Sequence, residues 1–269
     1  MNTRIILKKL WRKFKRVVWG RRNLVLPEEL VEQLDNRTID LGLFLGKKNQ
    51  VIELKELTFM IGGSQVLDYA FLKKIADIFE CKKYLEIGTY IGESINILTD
   101  SCDVLYSITA PLDASFSMAV WTKNLNMPDY SNRLVYSTKI KQFFANSEEF
   151  DYTVLPKDID LFFIDANHEY EAVYSDTKNI FNIKHNKAIV VWHDFRLSDR
   201  TYNASVVKAV ADAIGEEFRN VYVTNNNICG IYLPDEFKNE FVLRKLQYEV
   251  GIPLYTFDTQ LKVSVKEGK

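Results

Sequence analysis

The chain has little of what would mark it as secreted, disulfide-bonded or membrane-spanning. It holds three cysteines, Cys81, Cys102 and Cys229, at spacings that match no metal knuckle. That excludes a disulfide framework and predicts reduced thiols in a cytoplasmic protein. No apolar run approaches the ~20 residues of a membrane span. The N-terminus lacks the apolar core and small-residue cleavage site of a signal peptide. Glycine and proline are scarce, at 11 and 6 of 269 residues, so there is no linker-like or low-complexity tract. Nor is there an internal repeat. What is plentiful is apolar and aromatic residues, at 47% and 13%, enough for a folded globular chain.

Acid is missing from one place. Residues 1–22 hold nine Lys or Arg and no Asp or Glu, leaving 26 basic against 36 acidic residues, a net of −10, in the remainder. An acidic body excludes a general nucleic-acid surface there and predicts no specific nucleic-acid partner. Within 1–22, Ile6, Leu7, Leu10, Trp11, Phe14, Val17 and Val18 recur at helical spacing between the basic residues. Such a helix can lie on anionic lipid, placing the protein peripherally on the inner membrane face. It can equally dock on its own domain or on a second copy in a homo-oligomer, or contact RNA; these alternatives stay open.

The rest divides into an extension over 23–61, a main domain over 62–234 and a tail over 235–269. In the extension, Pro27 opens a short helix to about Leu34. Residues 39–45 and 51–57 flank Gly46-Lys47-Lys48-Asn49 and predict a hairpin or two short strands. The extension is either a cap on a site or a dimer contact. Ser64 is a plausible N-cap for a helix carrying Leu67, Phe71, Ile75 and Phe79. Strands are predicted at 84–87, 104–108, 134–136, 159–164 and 188–192, with helices at 93–100, 116–125, 171–183 and 205–214 between them. The nearly all-apolar run 159–164 suits a parallel strand buried on both faces. Asn225-Asn226-Asn227 lies between two further strands, 221–224 and 228–233, and predicts a closing antiparallel hairpin. The tail reads as helix-like from Asp235, with a strand at 255–265. The pattern describes an α/β, Rossmann-like, mostly parallel sheet with helices on both faces and an antiparallel C-terminal hairpin.

The first strand, Tyr84 to Ile87, runs into Gly88-Thr89-Tyr90-Ile91-Gly92 and then a helix. Glycine allows a sharp turn and close approach to a ligand, and the helix N-terminus behind it favours an anionic group. In open α/β sheets, ligands bind at the carboxyl ends of strands. Those ends carry Glu86, Gly88, Thr109, Ser137, Asp165 with His168, and His193-Asp194. Asp165, His193 and Asp194 are a candidate ligand set for Mg2+ or another divalent cation. His168 is a candidate general base, its ordinary pKa lying near neutrality. The bland alternative is that both histidines only fix loops and Asp165 caps a turn. His185 lies in a polar loop and is assigned to the surface.

These residues resemble a family. Tyr84-Leu85-Glu86-Ile87-Gly88-Thr89-Tyr90-Ile91-Gly92-Glu93-Ser94 resembles the first motif of class I S-adenosylmethionine-dependent methyltransferases. Phe163-Ile164-Asp165-Ala166-Asn167-His168-Glu169-Tyr170-Glu171-Ala172-Val173, with Asp176, resembles the fourth-strand motif of a bacterial subgroup that methylates small molecules and sugars. Val190-Val191-Trp192-His193-Asp194-Phe195 is similar to that subgroup's fifth-strand ending. The resemblance spans residues 62–233 and implies a seven-stranded sheet. It implies that Glu86, Gly88, Thr89, Tyr90, Gly92 and Ser94 surround the methionine part of S-adenosylmethionine, with Asp165 close by. The family's ribose-binding acid is replaced by Thr109, and Asp113 is the nearest substitute. Metal-dependent relatives acting on catechols and macrolide sugars place acids where this chain has Asp165 and Asp194. The catechol type has Asn where Phe195 stands. The sugar type has an acid where His193 stands, and a proposed base where His168 stands.

The resemblance thus implies an O-methyltransferase with catalytic His168 and Asp194, acting on a hydroxyl of a sugar or other polar small molecule in glycan or natural-product modification. Metal-free N-methylation and a non-catalytic cofactor-binding scaffold are the alternatives. A dinucleotide oxidoreductase is disfavoured by the absent third glycine of G-x-G-x-x-G. Deleting residues 1–22 is expected to abolish co-sedimentation with anionic vesicles while leaving cofactor affinity unchanged. Equal vesicle binding by the truncated protein would dismiss the lipid-facing helix.

Overall fold

In a computed structural model, residues 24–47, 51–58, 63–115, 117–126, 128–198 and 201–244 are described. The basic segment 1–22 and the strand expected at 255–265 lie outside them. Strand β1 (Thr38–Ile39) precedes the main domain. Then follow β2 (Lys83–Ile87), β3 (Val104–Thr109), β4 (Ile140–Phe144), β5 (Leu161–Ile164), β6 (Ile189–Trp192) and the two-stranded ribbon β7 (Arg196–Ser198) and β8 (Thr201–Tyr202). Strands β9 (Val221–Thr224), β10 (Gly230–Tyr232) and β11 (Leu243–Arg244) close the series.

Among the described residues one sheet of nine strands runs β11-β1-β9-β10-β6-β5-β2-β3-β4. The pairs β4–β3, β3–β2, β2–β5 and β5–β6 are parallel, and β10 is antiparallel to both β6 and β9. The expected parallel sheet with its antiparallel hairpin is therefore present. The count exceeds seven because β1 pairs parallel to β9 and antiparallel to β11, widening that edge by two strands. Such two-residue strands leave no periodic trace in a sequence.

Helices cover both faces: α1 (Glu28–Asp35), α2 (Leu41–Leu45), α3 (Val66–Ile78), α4 (Glu93–Asn96), α5 (Met118–Asn124), α6 (Tyr170–Ile183) and α7 (Ala204–Ile214). Alternation along the central strands feeds two cores. Tyr84, Leu161, Phe163, Ile189 and Val191 pack with Phe71 and Ile75 of α3. Leu85, Ile87, Phe162, Ile164, Val190 and Trp192 pack with Val173 and Ile180 of α6 and Val206 and Val210 of α7. Burial on both faces is why these strands are apolar throughout.

Several expectations are corrected. Residues 41–45 form α2 and not a strand, because the Asp40 carboxylate accepts from Leu43 N at 3.0 Å and caps a helix. Residues 51–58 adopt no regular structure, so no hairpin forms across residue 46. The third main-domain strand is Ile140–Phe144, not 134–136. Among the described residues it pairs only with β3 and is nowhere fully buried, so an exposed Lys141 and a half-buried Gln142 that donates to Asn132 interrupt its apolar pattern. The N-cap of α3 is Gln65, with Asp68 completing a capping box, in place of Ser64. Helix α4 stops at Asn96. The three cysteines are free and buried.

Asp176 of α6 is a deeply buried acid. It is 1% exposed, with the Ser147 side chain only partly offsetting its burial and Glu148 adding to it. Burial pushes its pKa from the ordinary 3.8 to about 7. The folded state then binds more protons than the unfolded chain between those values, so stability falls as pH rises through that window. Asp176→Asn removes this dependence. The stability of the variant relative to wild type, read by denaturant melts, should grow by about 3 kcal/mol between pH 5 and pH 8, at roughly 1.4 kcal/mol per pKa unit.

Candidate active site

Strand order reverses at β2: the chain goes from β2 to β3 and β4 on one side, then returns to β5 on the other. The carboxyl ends of β2 and β5 therefore open a crevice of the kind that takes ligands. Two glycines shape it. Gly88 has φ +92°, and a Cβ there would lie 2.2 Å from the backbone oxygen of Asp165. Gly92 has φ +95° and is the N-cap of α4. Tyr90 between them is also left-handed, at φ 45°. The turn is thus strained at a non-glycine residue, as functional turns often are.

Beneath the turn, Glu86 is fully buried. Its Oε2 accepts from Tyr84 Oη at 3.0 Å and from Ser94 Oγ at 2.7 Å. Its Oε1 has no hydrogen-bond partner among the described residues. Burial raises its pKa to about 7 despite those hydroxyl donors. Thr89 hydrogen-bonds Ser107 of β3 through the two hydroxyls. Thr109 ends β3, while Asp113 lies exposed on the following turn, beside Lys123 and Asp129 in an open hollow of about 680 Å³. The nominated cofactor residues thus form one tight group around the turn, with Asp113 at the periphery.

The second group follows β5 and β6. Asp165, His168, His193 and Asp194 each offer a ligand atom, and these atoms all lie within 4.8 Å of one another. His193 Nδ1 is 3.1 Å from Asp165 Oδ1 and 3.2 Å from Asp194 Oδ2. His168 Nε2 is 3.0 Å from Asp194 Oδ2 and 3.4 Å from Asp165 Oδ1. Asp194 adopts a left-handed φ of 50°, which Asp tolerates better than most residues. Both carboxylates are about a quarter exposed, whereas the His193 side chain is only 8% exposed.

Their protonation is mutual. Burial pushes the Asp165 and Asp194 carboxyls up, but the neighbouring imidazoles more than offset it and hold both below the ordinary range. Burial likewise opposes charge on the imidazoles, yet the carboxylates raise His168 and raise His193 further. Two carboxylate oxygens with imidazole nitrogens between them fit a divalent cation of the Mg2+ or Mn2+ kind. His185 sits apart, 3.7 Å from Asp160.

Two features escaped the sequence. Asp68 of α3 is 1% exposed in its side chain and places Oδ2 at 3.3 Å from His193 Nε2. The only signal for it was an acid three residues after Gln65, which reads as a cap. Glu93 of α4 accepts from Tyr69 Oη at 2.7 Å and from the backbone N–H of Thr58. With Asn96 donating to Glu56 at 2.9 Å, this fastens the 51–58 segment along α4.

The profile of a family described as "Methyltransferase domain" matches residues 85–195, the span holding the glycine turn and the whole four-residue cluster. An uncharacterised protein of Acanthamoeba polyphaga mimivirus is 24% identical over 204 residues, 69% of this chain and 90% of its own length. Among solved structures, an SAH-bound methyltransferase from Podospora anserina aligns at 12% identity and TM-score 0.45, over 87% of this chain and 98% of that one. An O-methyltransferase from Bacillus cereus in complex with SAH aligns at 12% identity and TM-score 0.44, over 83% and 97%.

The crevice predicts an order of sensitivity at its glycines. Gly88→Ala adds positive-φ strain and meets backbone, so it should cost about 2–4 kcal/mol. Gly92→Ala should cost less, because its nearest neighbour is the Val135 side chain, which can turn away. Guanidinium melts of both variants check this, and equal losses would refute the backbone clash at Gly88.

Proposed function

We propose that this chain, whose residues 85–195 match a methyltransferase-domain family, is a class I S-adenosylmethionine-dependent enzyme that methylates a hydroxyl of a sugar-like or other polar small molecule with help from a divalent cation. The convergence of Asp165, His168, His193 and Asp194 beside the glycine turn carries this reading. A cofactor-binding scaffold would need no such cluster, and transfer to a neutral amine would need no cation.

S-adenosylmethionine supplies a methyl group activated on a sulfonium. In the proposal, Gly88, Thr89, Tyr90 and Gly92 let the backbone approach its methionine part. Glu86 offers the ammonium its unpartnered buried oxygen, and Ser94 serves by holding Glu86 from its other side. Thr109 and Asp113 are assigned the ribose. A bound cation, held by Asp165, His193 and Asp194, would lower the pKa of an acceptor hydroxyl. His168 Nε2 takes the proton as the oxygen attacks. Asp194 at 3.0 Å and Asp165 at 3.4 Å then stabilise the imidazolium. Holding the oxygen in line with the methyl carbon is the larger part of the task. A sugar-like acceptor is favoured by the family resemblance of the 163–173 and 190–195 segments. Among the described residues no helix is long and apolar enough to cross a membrane.

Calorimetry with the intact protein should detect both S-adenosylmethionine and its demethylated product. Turnover is followed as release of that product with a panel of glycosides. His168→Ala and Asp194→Asn should each slow it by about 10²–10⁴-fold while changing product affinity little. A chelator should abolish it. Turnover indifferent to chelation would favour N-methylation, and near-normal rates in both variants would remove those residues from the mechanism.

A further inference from the structure

We propose that Asp68 is the positioning residue that makes His193 a ligand. It holds the imidazole with the proton on Nε2, so that Nδ1 is the nitrogen presented to a divalent cation between Asp165 and Asp194. This rests on the metal-assisted reading above and goes beyond it by naming a residue outside both chemical motifs.

The two faces of the His193 ring meet different partners. Nδ1 faces Asp165 at 3.1 Å and Asp194 at 3.2 Å. Nε2 faces Asp68 Oδ2 at 3.3 Å. A carboxylate only accepts hydrogen bonds, so the nitrogen facing Asp68 is the one that must keep a proton. When a cation takes the place of the other proton, Nδ1 is left as the donor atom. The ring cannot easily turn over, because it is 8% exposed and packs edge-on against Phe163 with centroids 6.0 Å apart.

Asp68 is itself held by groups distant in sequence. Oδ2 accepts from Gln65 N at 2.9 Å, Oδ1 accepts from Ile228 N at 3.2 Å, and Cys229 Sγ lies 3.7 Å from Oδ1. Capping α3 would require only the first of these contacts, and a capping acid has no need of burial. Burying a carboxylate this deeply is expensive unless it is paired and hydrogen-bonded. Here the pairing is with the imidazole that closes the cluster. The helix cap, the loop at residue 228 that leads into β10 and the site histidine therefore meet on one carboxylate.

The test uses the full chain and Mn2+, followed by loss of the free-ion EPR signal. Asp68→Asn keeps shape but offers an amide to the ring. It should weaken Mn2+ binding by about 10–100-fold, with affinity for the demethylated cofactor changed less than twofold. Gln65→Ala, which weakens the cap and leaves His193 alone, should leave Mn2+ affinity unchanged. Ring-nitrogen NMR of the Mg2+-saturated wild type should show His193 protonated at Nε2, and this reading does not depend on any variant folding. Protonation at Nδ1, or equal Mn2+ affinity in wild type and Asp68→Asn, would overturn the role of Asp68. Failure of the wild type to bind Mn2+ at all would overturn the metal-assisted reading with it. A loss in Gln65→Ala equal to that in Asp68→Asn would reduce Asp68 to a helix cap.

Discussion

The site depends on one close approach of backbone to backbone. Where β2 turns at Gly88, its Cα lies so near the Asp165 carbonyl that no side chain fits between them. The contact joins the glycine turn to the ionisable cluster. The hydrogen bonds that continue past the strand ends show the same registration: Asp165 N donates to Ile87 O at 2.8 Å, and His193 N to Ile164 O at 3.0 Å. Residues that follow three neighbouring parallel strands are thereby brought to one crevice. A shift of one residue in the β2–β5 register would turn Asp165 toward the opposite face of the sheet.

The parts of this arrangement that were legible in the sequence are those whose information is local. The run ending at Ile164 had to be a doubly buried strand, and the polar residues after it had to fall at its carboxyl end. The Gly88–Gly92 turn announced itself by two glycines in a chain that has few. The hairpin around Asn226 was carried by its turn residues. Where the reading failed, the deciding interaction was distant or the pattern was diluted. Strand β4 sits at an edge, where Lys141 stays in solvent and Gln142 is satisfied by Asn132, and these two polar residues hide it. Leu41, Leu43 and Leu45 alternate like a strand, yet one side-chain cap at Asp40 tips the segment into a helix.

Asp68 is the sharpest case. Its neighbours in sequence make it a capping residue, and that role is real. Its contacts with His193 and Ile228 span 125 and 160 positions, so no local pattern could have revealed them. A helix start is a natural place for such double use. The geometry that fixes a capping carboxylate also fixes whatever that carboxylate touches on its far side, without further ordering of the chain.

The electrostatics explain why the cluster needs this support. Three carboxylates, from Asp68, Asp165 and Asp194, surround one nearly buried imidazole, and His168 adds a second imidazole at the exposed side. Buried carboxylates in such number are stable only with positive charge among them. Protons on the two imidazoles provide it in the cation-free state, which is why both are raised while Asp165 and Asp194 are lowered. A divalent cation would provide the same charge from one point. Cation binding and proton release then become a single exchange, because imidazole ligates only through a deprotonated nitrogen. That exchange would leave His168 free of its proton with the total charge of the cluster unchanged, the state a general base requires.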